Sequence, residues 1–267
     1  MIFWCNGEWR ADLPASFMDR GHLHGLALFE TLLAVNGKPC AAERHLIRLA
    51  KGCEQLGWSI SQADLPEIMR ELLARNGFSQ GRARIRLTLT AGCGSLDDLS
   101  PGHDHLLWMA AFPSPEPPVS ISARHCPWPR NEHSPLAGLK CASYAENLIA
   151  LNLARSQGYE ETIFSNTAGN LCEAATANLF LVKDGQLYTP SLDSGCLPGI
   201  ARQILIDHFP CQETVLTLED LHAADEVFLT SSTRGPVPVT RFDKNLFTIG
   251  PITQSLQKIW NSQLGAR

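Results

Sequence analysis

The sequence predicts a two-domain α/β protein: a small α+β domain over residues 1–111, a Pro-rich linker over 112–119 and a larger α/β domain over 120–267. Three observations predict it. Runs with a two-residue apolar period alternate with runs of helical period. Phe112–Ser120, FPSPEPPVS, places four prolines in nine residues and interrupts the alternation. A hydrophobic share of 44% against 18% charged is that of a chain able to bury a full core.

FETLLAV, Phe29–Val35, reads as the first arm of a hairpin, because the Asn36-Gly37 that follows supplies the positive φ of a tight turn. In the next stretch Leu46, Leu49, Ala50, Cys53 and Leu56 recur at helical spacing and predict one buried face, with Arg48 opposite it. A second amphipathic helix turns Leu65, Ile68, Met69, Leu72 and Leu73 inward and stops at Gly77. RARIRLTLT then alternates Arg84, Arg86 and Thr88 against Ile85, Leu87 and Leu89, as a half-buried strand does. Beyond the linker come a strand near VSISARHC and a helix that Ser143 and Glu146 open as a capping box. ETIFSN and a hairpin turning at Asp184-Gly185 follow, then a helix after Pro198-Gly199 and a buried strand, ADEVFLTSS.

A net charge of −5 with interspersed signs lacks the basic stripe that nucleic acid or an anionic membrane demands, so a small-molecule substrate is expected. The nine scattered cysteines form no C-x-x-C pair and read as reduced core residues of a cytoplasmic protein. MIFWCNGEWR lacks a basic region followed by an apolar stretch and no uncharged run of about 18 residues occurs, so neither secretion nor membrane spanning is expected. The pairs His22/His24 and His103/His105 lack a third ligand at metal spacing, so no metal is expected.

The remaining polar groups each admit two readings. Ile200 and Ala201 present free N–H groups at a helix start, which is either a phosphate site or an ordinary turn-to-helix junction. Ser231, Ser232 and Thr233 at a strand end are donors or turn caps, and Arg48 pairs with an anion or faces water. Glu173, among small residues feeding a strand, must lie at a rim or have a partner. Lys140, in AGLKCASYAEN, is a solvated loop lysine or, if buried, an amine able to form an imine or act as a base.

In this order DRGHLHGLALFET, ERHLIRL, LAGLKCASYAEN, NTAGNLCEAATANLFLV, GCLPGIAR and ADEVFLTSS resemble the fold-type IV pyridoxal-phosphate enzymes, over nearly the whole chain. The resemblance implies a D-amino-acid aminotransferase-like fold with pyridoxal 5'-phosphate in the interdomain cleft, and a homodimer. It implies that Lys140 is the Schiff-base lysine and that Glu173 pairs with the pyridine nitrogen. Arg48, Ile200, Ala201 and Ser232 match the phosphate cup, and Tyr144 the tyrosine at the cofactor's phenolate oxygen.

The chain departs from the pattern where substrates are chosen. Leu26 and Ala27 replace a polar pair, Phe29 stands where D-amino-acid aminotransferases place tyrosine, and Ala91 where they carry a carboxylate-binding arginine. Arg84, Arg86 and Arg130 are then the candidate carboxylate ligands. The segment from Lys140 to Glu173 is most similar to 4-amino-4-deoxychorismate lyases of folate biosynthesis, with a branched-chain or D-amino-acid type aminotransferase as the alternative.

Overall fold

The computed structural model describes residues 1–14, 16–59, 64–95, 97 and 104–264. His103 lies outside them. The chain forms two compact units, one made of Met1–Glu116 with Leu139–Tyr144, the other of Pro117–Gly138 with Ala145–Arg267.

The first unit is a sheet covered by two helices. Its strands are β1 (Phe3–Cys5), β2 (Glu8–Arg10), β3 (Ala27–Val35), β4 (Lys38–Pro39), β5 (Arg82–Thr90) and β6 (Leu107–Pro113), in the spatial order β2-β1-β6-β5-β3-β4. A short helix α1 (Arg20–His24) precedes β3, while α2 (Ala42–Leu56) and α3 (Leu65–Arg75) lie between β4 and β5. Asn36 and Gly37 take φ of 50° and 75°, the left-handed pair that a two-residue hairpin turn requires.

The period of β5 sorts its two faces. Ile85, Leu87 and Leu89 join Leu49 and Cys53 of α2 and Met69, Leu72 and Leu73 of α3 in one core. Register pairs Phe29 with Thr88 and Thr31 with Arg86, so these residues share the opposite face. That face is not the open one its polarity suggested: Thr88 is 6% exposed, and of the three residues Arg84, Arg86 and Thr88 only Arg84 is exposed.

Two expectations for α2 need correction. Ala50 is exposed rather than inward, and Arg48 points away from water with its side chain 12% exposed. The apolar period was counted without His45, which is buried on the same side as Leu49 and Cys53.

Strand β6 runs to Pro113, two residues into the Pro-rich stretch, and the units divide between Glu116 and Pro117. The segment Leu139–Tyr144 rejoins the first unit, where a continuous second domain from residue 120 was expected. Hydrogen bonds explain it. β4 pairs only with the far end of β3, at Ala34 and Val35. The near end keeps an open edge, which the lysine segment fills: Phe29 N–H donates to Lys140 O at 2.9 Å and Ala142 N–H to Ala27 O at 2.7 Å.

The second unit is built on β7 (Ile121–His125), β8 (Glu161–Ser165), β9 (Leu171–Ala174), β10 (Asn178–Lys183), β11 (Gln186–Pro190), β12 (Cys211–Thr214), β13 (Glu226–Ser231), β14 (Gly235–Phe242) and β15 (Asn245–Leu246). The sheet runs β12-β11-β10-β13-β14-β7-β8-β9, with β15 on β14 and parallel pairs at β11/β12, β14/β7 and β7/β8. Helices α4 (Ala145–Ser156), α5 (Ile200–His208), α6 (Leu218–His222) and α7 (Pro251–Leu264) complete it. The β10/β11 hairpin turns at Asp184 and Gly185, with φ of 51° and 73°. The capping box expected of Ser143 is not the arrangement found: its hydroxyl donates to Gly25 O at 3.2 Å, and Glu146 lies 3.6 Å from Arg130.

The nine cysteines are free thiols, though Cys93 is exposed rather than core. Among the described residues no helix is long and apolar enough to cross a membrane, and no three potential metal ligands cluster.

Gly235 closes the turn between β13 and β14 at φ 67°, and a Cβ there would lie 2.4 Å from the Trp260 indole of α7. Gly235→Ala therefore combines a left-handed backbone with an overpacked contact, and should destabilise the protein by about 2–4 kcal/mol in urea denaturation. A change below about 0.5 kcal/mol, the range of an ordinary surface substitution, would contradict this packing.

Candidate active site

The lysine is not a solvated loop cation. Backbone pairing with β3 brings Lys140 Nζ to 4.5 Å from the centroid of the Phe29 ring. Arg86 Cζ stands 3.5 Å from the same centroid, and Tyr144 meets that ring edge-on at 5.6 Å. Phe29 is thus an aromatic floor shared by two cations.

Arg86 is the less ordinary of the two. Its Nε donates to Thr88 Oγ1 at 3.1 Å, and among the described residues no carboxylate forms an ion pair with it. Burial pulls the guanidinium down to about 10, against the pull of Tyr144 and Glu30. A half-buried guanidinium that forms no ion pair is suited to receive an anion. Arg84 is exposed on the same strand. Arg130 belongs to the second unit, where Nη1 reaches Asn147 Oδ1 at 3.3 Å, Cζ lies 4.3 Å over Phe164, and Nε and Nη2 are buried without partners.

On the core face of β3 sits a group that sequence reading missed. Glu30 is 1% exposed; it accepts from Arg48 Nε at 2.8 Å and Nη2 at 2.6 Å, and meets His45 Nδ1 at 2.6 Å. Burial would raise this carboxyl, but the His45 and Arg48 hydrogen bonds outweigh it and hold the group at about 2. Burial also holds His45 below the usual imidazole range. The ring is therefore neutral, with its Nδ1 proton on the ionised, acceptor-only Glu30. Arg48 faces neither water nor an open surface: Glu30 fixes its fork. The available signal was a single carboxylate inside the apolar run ALFETLL.

In the second unit Glu173 is buried and does have partners. Its Oε2 accepts from Leu197 N–H at 3.1 Å and from Asn178 Nδ2 at 3.3 Å, and the same Nδ2 donates to Leu197 O at 2.8 Å. Gly199 makes this possible, since a Cβ there would fall 1.9 Å from Asn178 Oδ1. Gly199 is also the N-cap of α5, and no side chain caps that helix among the described residues. The residues presenting its first amides are nearly dry, Ile200 at 8% and Ala201 at 2% exposure, an arrangement that suits a desolvated anion. Ser232 lies in the turn after β13, closed by Arg234 N–H to Ser231 O at 3.2 Å. His22 and His24 fall on α1 with no third ligand among the described residues.

The Glu30 carboxyl supports a pH prediction. A group lowered from its ordinary 4.5 to about 2 stabilises the fold above pH 4.5, and that contribution disappears as the pH falls through about 2. Glu30→Gln should therefore cost on the order of 3 kcal/mol near neutrality, and the gap in melting temperature from the wild type should close between pH 5 and 2. A gap independent of pH would show that the ionised form is not what matters.

The amino-transferase class IV family profile matches residues 27–242. Aminodeoxychorismate lyase of Bacillus subtilis is 26% identical, covering 98% of this chain and 94% of its own. D-alanine aminotransferase of Listeria monocytogenes is 28% identical, with 96% and 92% covered. Among solved structures, 4-amino-4-deoxychorismate lyase from Pseudomonas aeruginosa superposes with a TM-score of 0.82 at 30% identity, covering 97% of this chain and 98% of that one. The branched-chain aminotransferase of Thermoproteus uzoniensis gives 0.91 at 26%, covering 98% and 93%. Lyase and aminotransferase relatives stand at similar distances. On the profile match over most of its length and these full-length likenesses, the chain belongs to the class IV aminotransferases, a family of pyridoxal-phosphate-dependent enzymes with a mixed α/β fold.

Proposed function

We propose that this enzyme is a lyase that converts 4-amino-4-deoxychorismate to 4-aminobenzoate and pyruvate. The observation that carries the reading is Arg86: a half-buried guanidinium that forms no ion pair among the described residues, on the same aromatic ring as the Lys140 amine. A substrate carboxylate supplies the counter-ion that Arg86 lacks, and a flat carbocycle packs in the corner made by Phe29 and Tyr144. Ala91, buried in the core of the first unit, brings no guanidinium where D-amino-acid aminotransferases carry an arginine, which supports a substrate other than a D-amino acid.

The chemistry of these groups, taken unit by unit, supports the family's cofactor. Lys140 would hold its aldehyde carbon and Tyr144 its phenolate oxygen. Arg48, the Ile200 and Ala201 amides and Ser232 would hold the phosphate, for which the uncapped, dry start of α5 is suited. Glu173 would keep the pyridine nitrogen protonated, a task for which its buried carboxylate, steadied by the Leu197 and Asn178 donors, is prepared. When bound, pyridoxal phosphate supplies an electron sink that acidifies the C–H beside the substrate nitrogen.

The chain's residues then move protons. Lys140 Nζ takes the proton from the amine-bearing ring carbon, the bond from the ring to the enolpyruvyl oxygen breaks, and the ring becomes aromatic. Lys140 returns a proton to the methylene carbon of the departing group, which leaves as pyruvate. Arg86 holds the substrate carboxylate through both transfers. A homodimer belongs to the same proposal.

The aminotransferase relatives support a second reading, transamination of branched-chain or D-amino acids, in which Lys140 moves a proton at the same position. Separate incubations with aminodeoxychorismate and with branched-chain or D-amino acids plus 2-oxoglutarate decide between them. Equimolar pyruvate and 4-aminobenzoate are expected. Amino-group transfer without them would make transamination the function. In either case, borohydride should fix cofactor mass to the peptide containing Lys140 and should fix none to Lys140→Ala; fixation in that variant would refute the assignment of the lysine.

A further inference from the structure

From the Ser231–Arg234 turn a polar chain that none of the roles above uses runs inward to a buried carboxyl. Glu161, the first residue of β8, is 1% exposed, and burial pushes its carboxyl up against the opposing pull of Thr176 and Arg234. The Thr176 hydroxyl, in the link from β9 to β10, donates to Glu161 Oε2. That hydroxyl accepts from Arg234 Nη2 at 2.8 Å, and Nη2 lies 3.8 Å from Glu161 Oε2. On the same edge of the guanidinium, Nε donates to Ser231 Oγ at 3.3 Å.

The arrangement ties two separate pieces of chain, the start of β8 and the β9–β10 link, to the hydroxyl-bearing turn. Thr176 accepts from the guanidinium and donates to the carboxyl, so each bond polarises the next. Packing alone does not require charge here, since apolar side chains of similar volume fill such a place at least as well. What the charges add is direction. Arg234 reaches Ser231, Thr176 and Glu161 together from its place in the turn, which braces the backbone on either side of Ser232 and Thr233.

We propose that Glu161, Thr176 and Arg234 are positioning residues that hold the Ser231–Thr233 turn as a preorganised donor set for a phosphate group. The inference rests on the reading of Ser232 as a phosphate contact. None of the three residues needs to touch the cofactor.

The test compares dissociation constants for pyridoxal phosphate and for pyridoxal, which lacks the phosphate, by absorbance titration of the apoenzyme. Thr176→Val keeps the shape and removes the relay. It should weaken pyridoxal phosphate by about tenfold, the scale of one buried hydrogen bond to a charged group, and leave pyridoxal within about twofold. Thr176→Ser should restore the wild-type ratio. Arg234→Gln, altering a side chain 29% exposed and so tolerable to the fold, should behave as Thr176→Val does. Equal losses for both compounds, or no loss for either, would overturn the proposal. Ser232→Ala separates the two layers. If it keeps the wild-type ratio, the phosphate reading itself fails; if it lowers the ratio while Thr176→Val and Arg234→Gln do not, the relay alone is wrong.

Discussion

The short pairing of Lys140–Ala142 with the open edge of β3 is the constraint from which the candidate chemistry follows. Two backbone hydrogen bonds, Phe29 N–H to Lys140 O and Ala142 N–H to Ala27 O, decide where the lysine stands. Without them the segment follows a glycine at φ 75° and has no strand of its own. With them, Lys140 shares one aromatic ring with Arg86, and Tyr144 is drawn to the same ring's edge. The strand edge left by the shortness of β4 is thus covered, and its cover carries the reactive amine.

Two buried carboxylates are stabilised by different means, which suits different work. Glu30 has a neutral imidazole and a two-pronged guanidinium, so it is a fixed anion that orients Arg48. Glu173 accepts from an amide N–H and an asparagine, which steady its carboxylate in place. Glycine enters where backbone must come close: at Gly199 it makes room for Asn178, and at Gly235 for Trp260. These small residues serve the site indirectly, by admitting the groups that hold functional side chains still.

Much of the strand and helix order was visible in the sequence, since hairpin turns at Asn36-Gly37 and Asp184-Gly185 and the two-residue period of β5 are local properties. The lysine, the glutamate and the start of α5 were visible as a pattern of motifs, though no spacing rule could show what each touches. Three things were hidden for a physical reason. The period of α2 counts apolar residues, so a face carrying His45 and Arg48 toward a buried carboxylate looks like a solvent face. The return of Leu139–Tyr144 to the first unit depends on an edge created by the length of a distant strand. The Glu161, Thr176 and Arg234 chain joins residues 58 apart, beyond any local signal.

The account turns on Lys140 as the group that moves the proton at the substrate carbon. The most direct measurement is chemical rescue of Lys140→Ala, loaded with cofactor, by small primary amines of graded basicity. If the lysine is the base, turnover should return in proportion to added amine, with a rate that rises with amine pKa once size is allowed for. Rescue that ignores basicity, or turnover in the variant without any added amine, would contradict it.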